Sequence, residues 1–299
     1  MFTNEGIRIG TLVNKGEKNP EYISQIVGHG FESFQIMFWK TLGGVDLTKL
    51  ADRVNEVLEG TGAVISSLGV FGNPLETGEE DLETLRGWEQ AIDHAHLFGT
   101  DLVCGFTGRL RGKSIPDSIP RFKEVWGELA RRAAAKGVRL AFENCDMGGT
   151  WKTGDWNIAH SPDAWKMMFD AVPTDNIGLE WEPCHQMVSL IDPIPQLREW
   201  MPKVFHVHGK DATIRWDVVK KRGIHGPEQF VFHRTPGFGD SNWTDIITIL
   251  RQGGYQGTID IEGWHDPVYK GELEMMGQVR GLNYLKDCRG GSFVVNPVL

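Results

Sequence analysis

Short, almost unbroken apolar runs alternate along this chain with longer stretches whose apolar positions recur at helical spacing. The runs are IRIGTL (7–12), SFQIMF (33–38), AVISSLG (63–69), DLVCGF (101–106), VRLAFE (138–143), IGLEWE (177–182), VFHVHG (204–209) and TIDIEG (258–263). Strands covered by helices on both faces read this way, because neither face meets water. The stretches between them carry helix punctuation. VDLTKLADRVNEVLEGTG opens on Asp46 as a cap and stops at Gly60, and others stop at Gly28 or Gly30, Gly99 and Gly137. SPDAWKMMFDAV offers Ser161 as N-cap, Pro162 at the first helical position and Asp163 in the first turn.

Eight such units in 299 residues predict an α/β fold, a (β/α)8 TIM barrel as a single domain over 1–299, with an apolar C-terminal tail over 289–299. The competing doubly wound sheet needs a G-x-G-x-x-G turn after its first strand, and GTLVNKGEKNP lacks it. Two connections exceed ordinary loop length, 144–160 and 210–240. Both leave strand C-terminal ends, where barrel active sites are built, and are expected to form functional loops or lids.

The last four runs each end in a metal-ligand residue type: Glu143 in VRLAFEN, Glu182 (then His185) in IGLEWEPCH, His208 in VFHVHGKD and Glu262 in GTIDIEGWH. A carboxylate at the end of a buried apolar strand is costly unless a cation or hydrogen bonds compensate it. Three carboxylates and an imidazole suit one divalent ion. Glu180 shares a strand face with Glu182, and His206 shares one with His208, so each is a rival ligand placed one layer lower. His185 is read as a substrate-hydroxyl or proton-relay group, and Lys210 as a substrate contact that can pair with Asp211. Arg234 precedes a Pro-Gly turn. It is either a loop anchor held by a salt bridge or a clamp on a substrate hydroxyl, carboxylate or phosphate. Arg109, Arg111 and Lys113 are read as a solvated loop; His94, His96, His160, His225 and His265 are assigned structural places.

Composition narrows the function. The net charge of −9, with acids and bases interspersed, argues against a nucleic-acid partner. No stretch approaches the roughly 20 apolar residues of a membrane span, and MFTNEGIRIG does not read as a signal peptide. Cys104, Cys145, Cys184 and Cys288 form no C-x-x-C pair, which fits a reduced, cytoplasmic location. Cys145 and Cys184 each follow a candidate ligand by two residues and are read as small buried or loop-lining residues rather than nucleophiles. Tryptophan is abundant, with 11 residues, and Trp39, Trp151, Trp156, Trp181 and Trp264 fall near strand ends. Their flat faces suit a small-molecule carbohydrate, with Trp181 taken as a substrate contact.

On these residues the chain resembles the sugar phosphate isomerase/epimerase superfamily, the xylose isomerase-like TIM barrels, which include ketose 3-epimerases and inosose dehydratases. FEN, EPCH, HGKD, PGFGDSNW and IEGW stand where that family carries similar motifs. The resemblance implies one divalent metal held by Glu143, Glu182, His208 and Glu262, usually Mn2+, with Co2+, Mg2+ or Zn2+ as substitutes. It implies Glu143 and Glu262 as the catalytic pair on opposite faces of a ketose or keto-sugar. They exchange the proton next to its carbonyl through a metal-stabilised enediolate, with His185 and Arg234 orienting hydroxyl groups. A lyase or dehydratase acting through the same enediolate on a keto-sugar, keto-glycoside or keto-cyclitol is the alternative; a non-catalytic sugar-binding barrel is a third. The resemblance further implies a homo-oligomer, dimer or tetramer. One position departs from the pattern: Glu182 stands where the family usually has Asp.

Overall fold

The structure is a computed structural model that describes residues 6–291, 294, 295 and 297. Eight parallel strands close a barrel: β1 (Arg8–Val13), β2 (Ser33–Trp39), β3 (Val64–Phe71), β4 (Leu102–Gly105), β5 (Arg139–Glu143), β6 (Ile177–Trp181), β7 (Val204–Gly209) and β10 (Thr258–Ile261). β1 pairs with both β2 and β10, which leaves no open edge. Every strand expected from the apolar runs is present, with ends displaced by no more than two residues.

The helices are α1 (Asn19–Ile26), α2 (Leu47–Leu58), α3 (Glu79–His94), α4 (Ile115–Ala134), α5 (Pro162–Ala171), α6 (Pro183–Val188), α7 (Pro193–Trp200), α8 (Trp216–Arg222), α9 (Trp243–Gln252) and α10 (Glu274–Cys288). Asp46 caps α2 by accepting from the amides of Thr48 and Lys49. Ser161 and Pro162 do open α5, but the Ser161 hydroxyl makes no capping bond. No helix among the described residues is long and apolar enough to cross a membrane.

The main core lies between the strands and the helices. Trp88, Trp126, Trp165, Trp181 and Trp243 are fully buried there, with Trp126 edge-on to Phe142 at 4.5 Å between ring centroids. Much of the tryptophan content is therefore packing, not a sugar pocket. The barrel interior is polar instead. Gln35, Ser67, Glu180, His206 and Asp260 fill it, all buried. Gly10 on β1 makes room for them: a Cβ there would collide with the Ser33 carbonyl and the Asp260 carboxylate.

The two long connections are more ordered than their sequence suggests. Residues 210–240 form an antiparallel hairpin, β8 (Asp211–Ile214) with β9 (Val231–Arg234), spanned by α8. Ala212 and Val231 pack on Cys184 and Met187 of α6, so the hairpin forms a fixed wall of the barrel mouth. The 144–160 loop is held by Arg109. This residue is fully buried, not solvated, and its guanidinium donates to the carbonyls of Lys113, Thr150 and Trp151. Arg111 is tied to Asp81. The expected apolar tail falls partly outside the described residues; Val294 and Val295 are exposed.

Candidate active site

The ends of β5, β6, β7 and β10 carry Glu143, Glu182, His208 and Glu262 to one point. One ligand atom from each lies within 4.8 Å of the others, and all four residues are buried. Local structure fixes each one. Asn144 donates to the Glu182 carbonyl and accepts from the Glu182 amide, both at 2.8 Å, which clamps the ends of β5 and β6 together. Asn157 donates to the Glu143 and Cys145 carbonyls at 2.8 and 2.7 Å. Pro183 starts α6, so Glu182 is the N-cap residue of a short helix.

His208 is oriented by its neighbours. Its Nε2 lies 2.8 Å from Gln35 Oε1, while Nδ1 faces Glu143 Oε1 at 3.3 Å and Glu262 Oε2 at 3.6 Å. Holding Nε2 against Gln35 turns Nδ1 towards the two carboxylates. The lower layer lies directly beneath, with Glu180 Oε1 3.0 Å from His208 Nε2. His206 uses both nitrogens, at 2.8 Å each, on Glu180 and Asp260, and Glu180 Oε1 also accepts from Gln35 at 2.5 Å. The rivals Glu180 and His206 therefore serve as the floor on which His208 stands.

The carboxylates themselves are under-satisfied. Oε2 of Glu182 and Oε2 of Glu262 are buried with no hydrogen-bond partner, and Glu182 Oε1 meets only the ring Nε2 of His185, at 2.8 Å. A buried carboxylate without donors is among the most costly arrangements in a protein interior. This donor set is one that could hold a divalent cation. Burial opposes a charged His208, yet Glu180 and Glu143 hold its pKa well above the usual imidazole range.

Lys210, fully buried, stands beside this group. Its Nζ is 2.9 Å from Glu262 Oε1 and 3.1 Å from His185 Nε2. Burial works against both charges, but each holds the other. Lys210 is raised above its ordinary pKa, and Glu262 falls well below the usual carboxylate range with help from His265. Glu143 moves the other way, raised by burial despite its bond to His208, with Glu262 adding repulsion. His185 is driven well below its ordinary value by burial and then by Lys210, so its ring is neutral. Asp211 does not pair with Lys210. It accepts from the amides of Ala212 and Ser241.

A cavity of about 530 Å3 opens above these groups, lined on one side by Glu143, His185, His208, Lys210 and Glu262. Two candidate substrate contacts lie elsewhere. Trp181 alternates with Glu180 and Glu182 along β6. It therefore points out to the helices, where its Nε1 donates to Gln196 Oε1 at 3.0 Å. Arg234 is bound to Asp266 at 3.0 Å and anchors the loop, so its guanidinium does not line the cavity. Its neighbour His233 on β9 does, together with His265 and Trp264. The sequence shows His233 beside Arg234 in HRTPGFGDSNW without marking it as a site residue, and it does not single out Gln35. The signal for Gln35 was an amide at an inward position of an otherwise apolar strand. Burial keeps the thiols of Cys145 and Cys184 protonated, which suits lining residues rather than nucleophiles.

Comparison with known proteins agrees with this architecture. The model of the xylose isomerase-like TIM barrel family matches residues 23–288, and the chain belongs to that family. An inosose dehydratase of Clostridium botulinum is 28% identical over 316 residues, covering 96% of this chain and 99% of that protein. Among solved structures, a xylose isomerase domain protein from Planctomyces limnophilus superposes with a TM-score of 0.70 at 17% identity, covering 95% and 97% of the two chains. The 3-keto-D-glucoside 4-epimerase YcjR from E. coli gives 0.68 at 16% identity, covering 94% and 100%.

Proposed function

We propose that this protein is a divalent-metal-dependent isomerase or epimerase of a ketose or keto-sugar, acting by proton transfer at the carbon next to the carbonyl. The observation that carries the reading is the convergence of Glu143, Glu182, His208 and Glu262 within 4.8 Å, with Oε2 of Glu182 and Oε2 of Glu262 buried and without a hydrogen-bond partner. Those four residues would hold the ion, and the donor set suits Mn2+ ahead of Co2+, Mg2+ or Zn2+. When bound, such an ion supplies Lewis-acid polarisation of the substrate carbonyl.

The chain's own groups perform the proton transfer. Glu262, kept ionised by Lys210 and His265, is the base that takes the proton from the carbon beside the carbonyl. Glu143, whose pKa is raised, is the group that returns a proton. Environments that push two carboxylates apart in pKa mark an acid and a base. His185, neutral and fixed by Lys210, is placed to hold a substrate hydroxyl.

Elimination is the second reading, favoured by the full-length similarity to an inosose dehydratase. It uses the same first proton abstraction and then expels a hydroxyl or an aglycone. Proton NMR in D2O of the metal-loaded protein with candidate keto-sugars separates the two. Deuterium entering a recovered isomer supports epimerisation, release of water or an aglycone supports elimination, and no exchange with any keto-sugar removes both.

A further inference from the structure

The cavity has two unlike walls. Opposite the metal-ligand side, Leu12, Met37, Phe71, Phe106 and Cys145 form an apolar cluster of their own, detached from the main core, with Trp264 packed against it. Trp39 extends this wall to the cavity mouth and remains 44% exposed. It is held from behind and beside: Trp156 stacks on it at 5.8 Å between centroids, and Phe106 meets it edge-on at 6.2 Å. A large aromatic face fixed in place and left open to solvent is a preformed contact for a flat apolar group.

Size and charge agree. A ketohexose has about twelve heavy atoms, on the order of 200 Å3 at interior packing density, whereas the cavity is about 530 Å3. Among the described residues lining it, Lys210 is the sole lysine or arginine, and its charge is taken by Glu262. Nothing there is free to neutralise a phosphate or a carboxylate on the substrate.

We propose that the substrate is an uncharged keto-glycoside with an apolar, preferably aromatic, aglycone seated on Trp39, while the keto-sugar ring occupies the side of Glu143 and Glu262. This inference rests on the proton-transfer reading above for the sugar end, and Trp39 is the residue that selects the aglycone. Stacking an aryl ring there removes apolar area from water on both partners, which favours aryl over methyl by an order of magnitude or more.

The test is calorimetric titration of the full-length, Mn2+-loaded protein with methyl and phenyl 3-keto-β-D-glucoside and with a ketohexose phosphate. The phenyl glycoside should bind at least ~10-fold tighter than the methyl one, and the ketose phosphate more weakly than either. Trp39→Leu and Trp39→Ala should bring the phenyl compound down to the methyl value while leaving the methyl value within about twofold. Equal binding of the two glycosides, equal loss of both in the Trp39 variants, tighter binding of the phosphate, or no binding of either glycoside would overturn the inference. The reading beneath it is judged by a separate result. If aryl selectivity is present but no keto-sugar exchanges its α-proton in D2O, the aglycone site stands and the proton-transfer reading falls. If ketoses exchange and aryl selectivity is absent, the reverse holds.

Discussion

Lys210 sets its ammonium 2.9 Å from Glu262 Oε1 with both side chains buried, so each stays ionised because the other does. Burial alone would discharge either group. Lys210→Met should therefore raise the pKa of Glu262. A base must be deprotonated to act, so the acid limb of the kcat/KM profile should move to higher pH, with kcat down by roughly 100-fold. Retained circular dichroism with an unmoved acid limb would show that Lys210 does not tune Glu262.

Glu143→Gln and Glu262→Gln should each lower turnover by about three orders of magnitude or more, since each removes both a proton-transfer group and a charge. The barrel should remain folded, because the strand pairing and the Asn144–Glu182 clamp do not involve these carboxylates. Rates of α-proton exchange by NMR, beside thermal denaturation curves, check both halves. Full activity in Glu262→Gln would remove the acid–base assignment.

Loading the metal should stabilise the fold. At an ion concentration 100-fold above Kd the gain is about 2.7 kcal/mol, or roughly 5 °C in Tm for a domain of this size. His208 carries a proton in the ion-free site, so loading should also release about one proton near pH 7. Titrations in buffers of differing ionisation enthalpy measure that number. Glu182→Gln should raise the ion-free Tm, because it removes a buried charge that meets only the neutral ring of His185, and should abolish the metal-induced increment.

His233 gives a stability effect with a defined sign. Burial and then the charge of Lys210 push its pKa down to about 4. The unfolded chain takes up this proton near pH 6.5. Between those values the unfolded state binds more protons, so stability rises with pH, stands in full above pH 6.5 and is lost as pH falls towards 4. His185, displaced in the same direction, adds to the slope. Urea midpoints for His233→Gln between pH 7 and pH 5 should show a shallower slope than the parent protein. An unchanged slope would mean that His233 is already accessible to protons.

The strand plan was legible because helices cover the outer face of the barrel and the strands close on one another within, so neither face meets water and each strand reads as a nearly continuous apolar run. The same alternation of two residues that allowed Glu180 against Glu182, and His206 against His208, put each pair in two layers of one interior. Distance from the strand end then separated the cluster of Glu143, Glu182, His208 and Glu262 from the floor beneath it. What the alternation also contains, and went unused, is the outward direction of Trp181. Partners distant in sequence were hidden: Arg234 finds Asp266 and Lys210 finds Glu262 only once the barrel closes. The hairpin of β8 and β9 was hidden too. Its strands are four residues each and lie far apart in the chain, so no hairpin turn signal joins them.

The central claim is that Glu143, Glu182, His208 and Glu262 share one cation. Anomalous diffraction at the manganese edge from crystals of the Mn2+-loaded protein tests it most directly. A single strong peak within bonding distance of one atom from each of the four residues is the predicted result. A site without a peak, in protein that remains fully active after every divalent ion has been stripped, would contradict it.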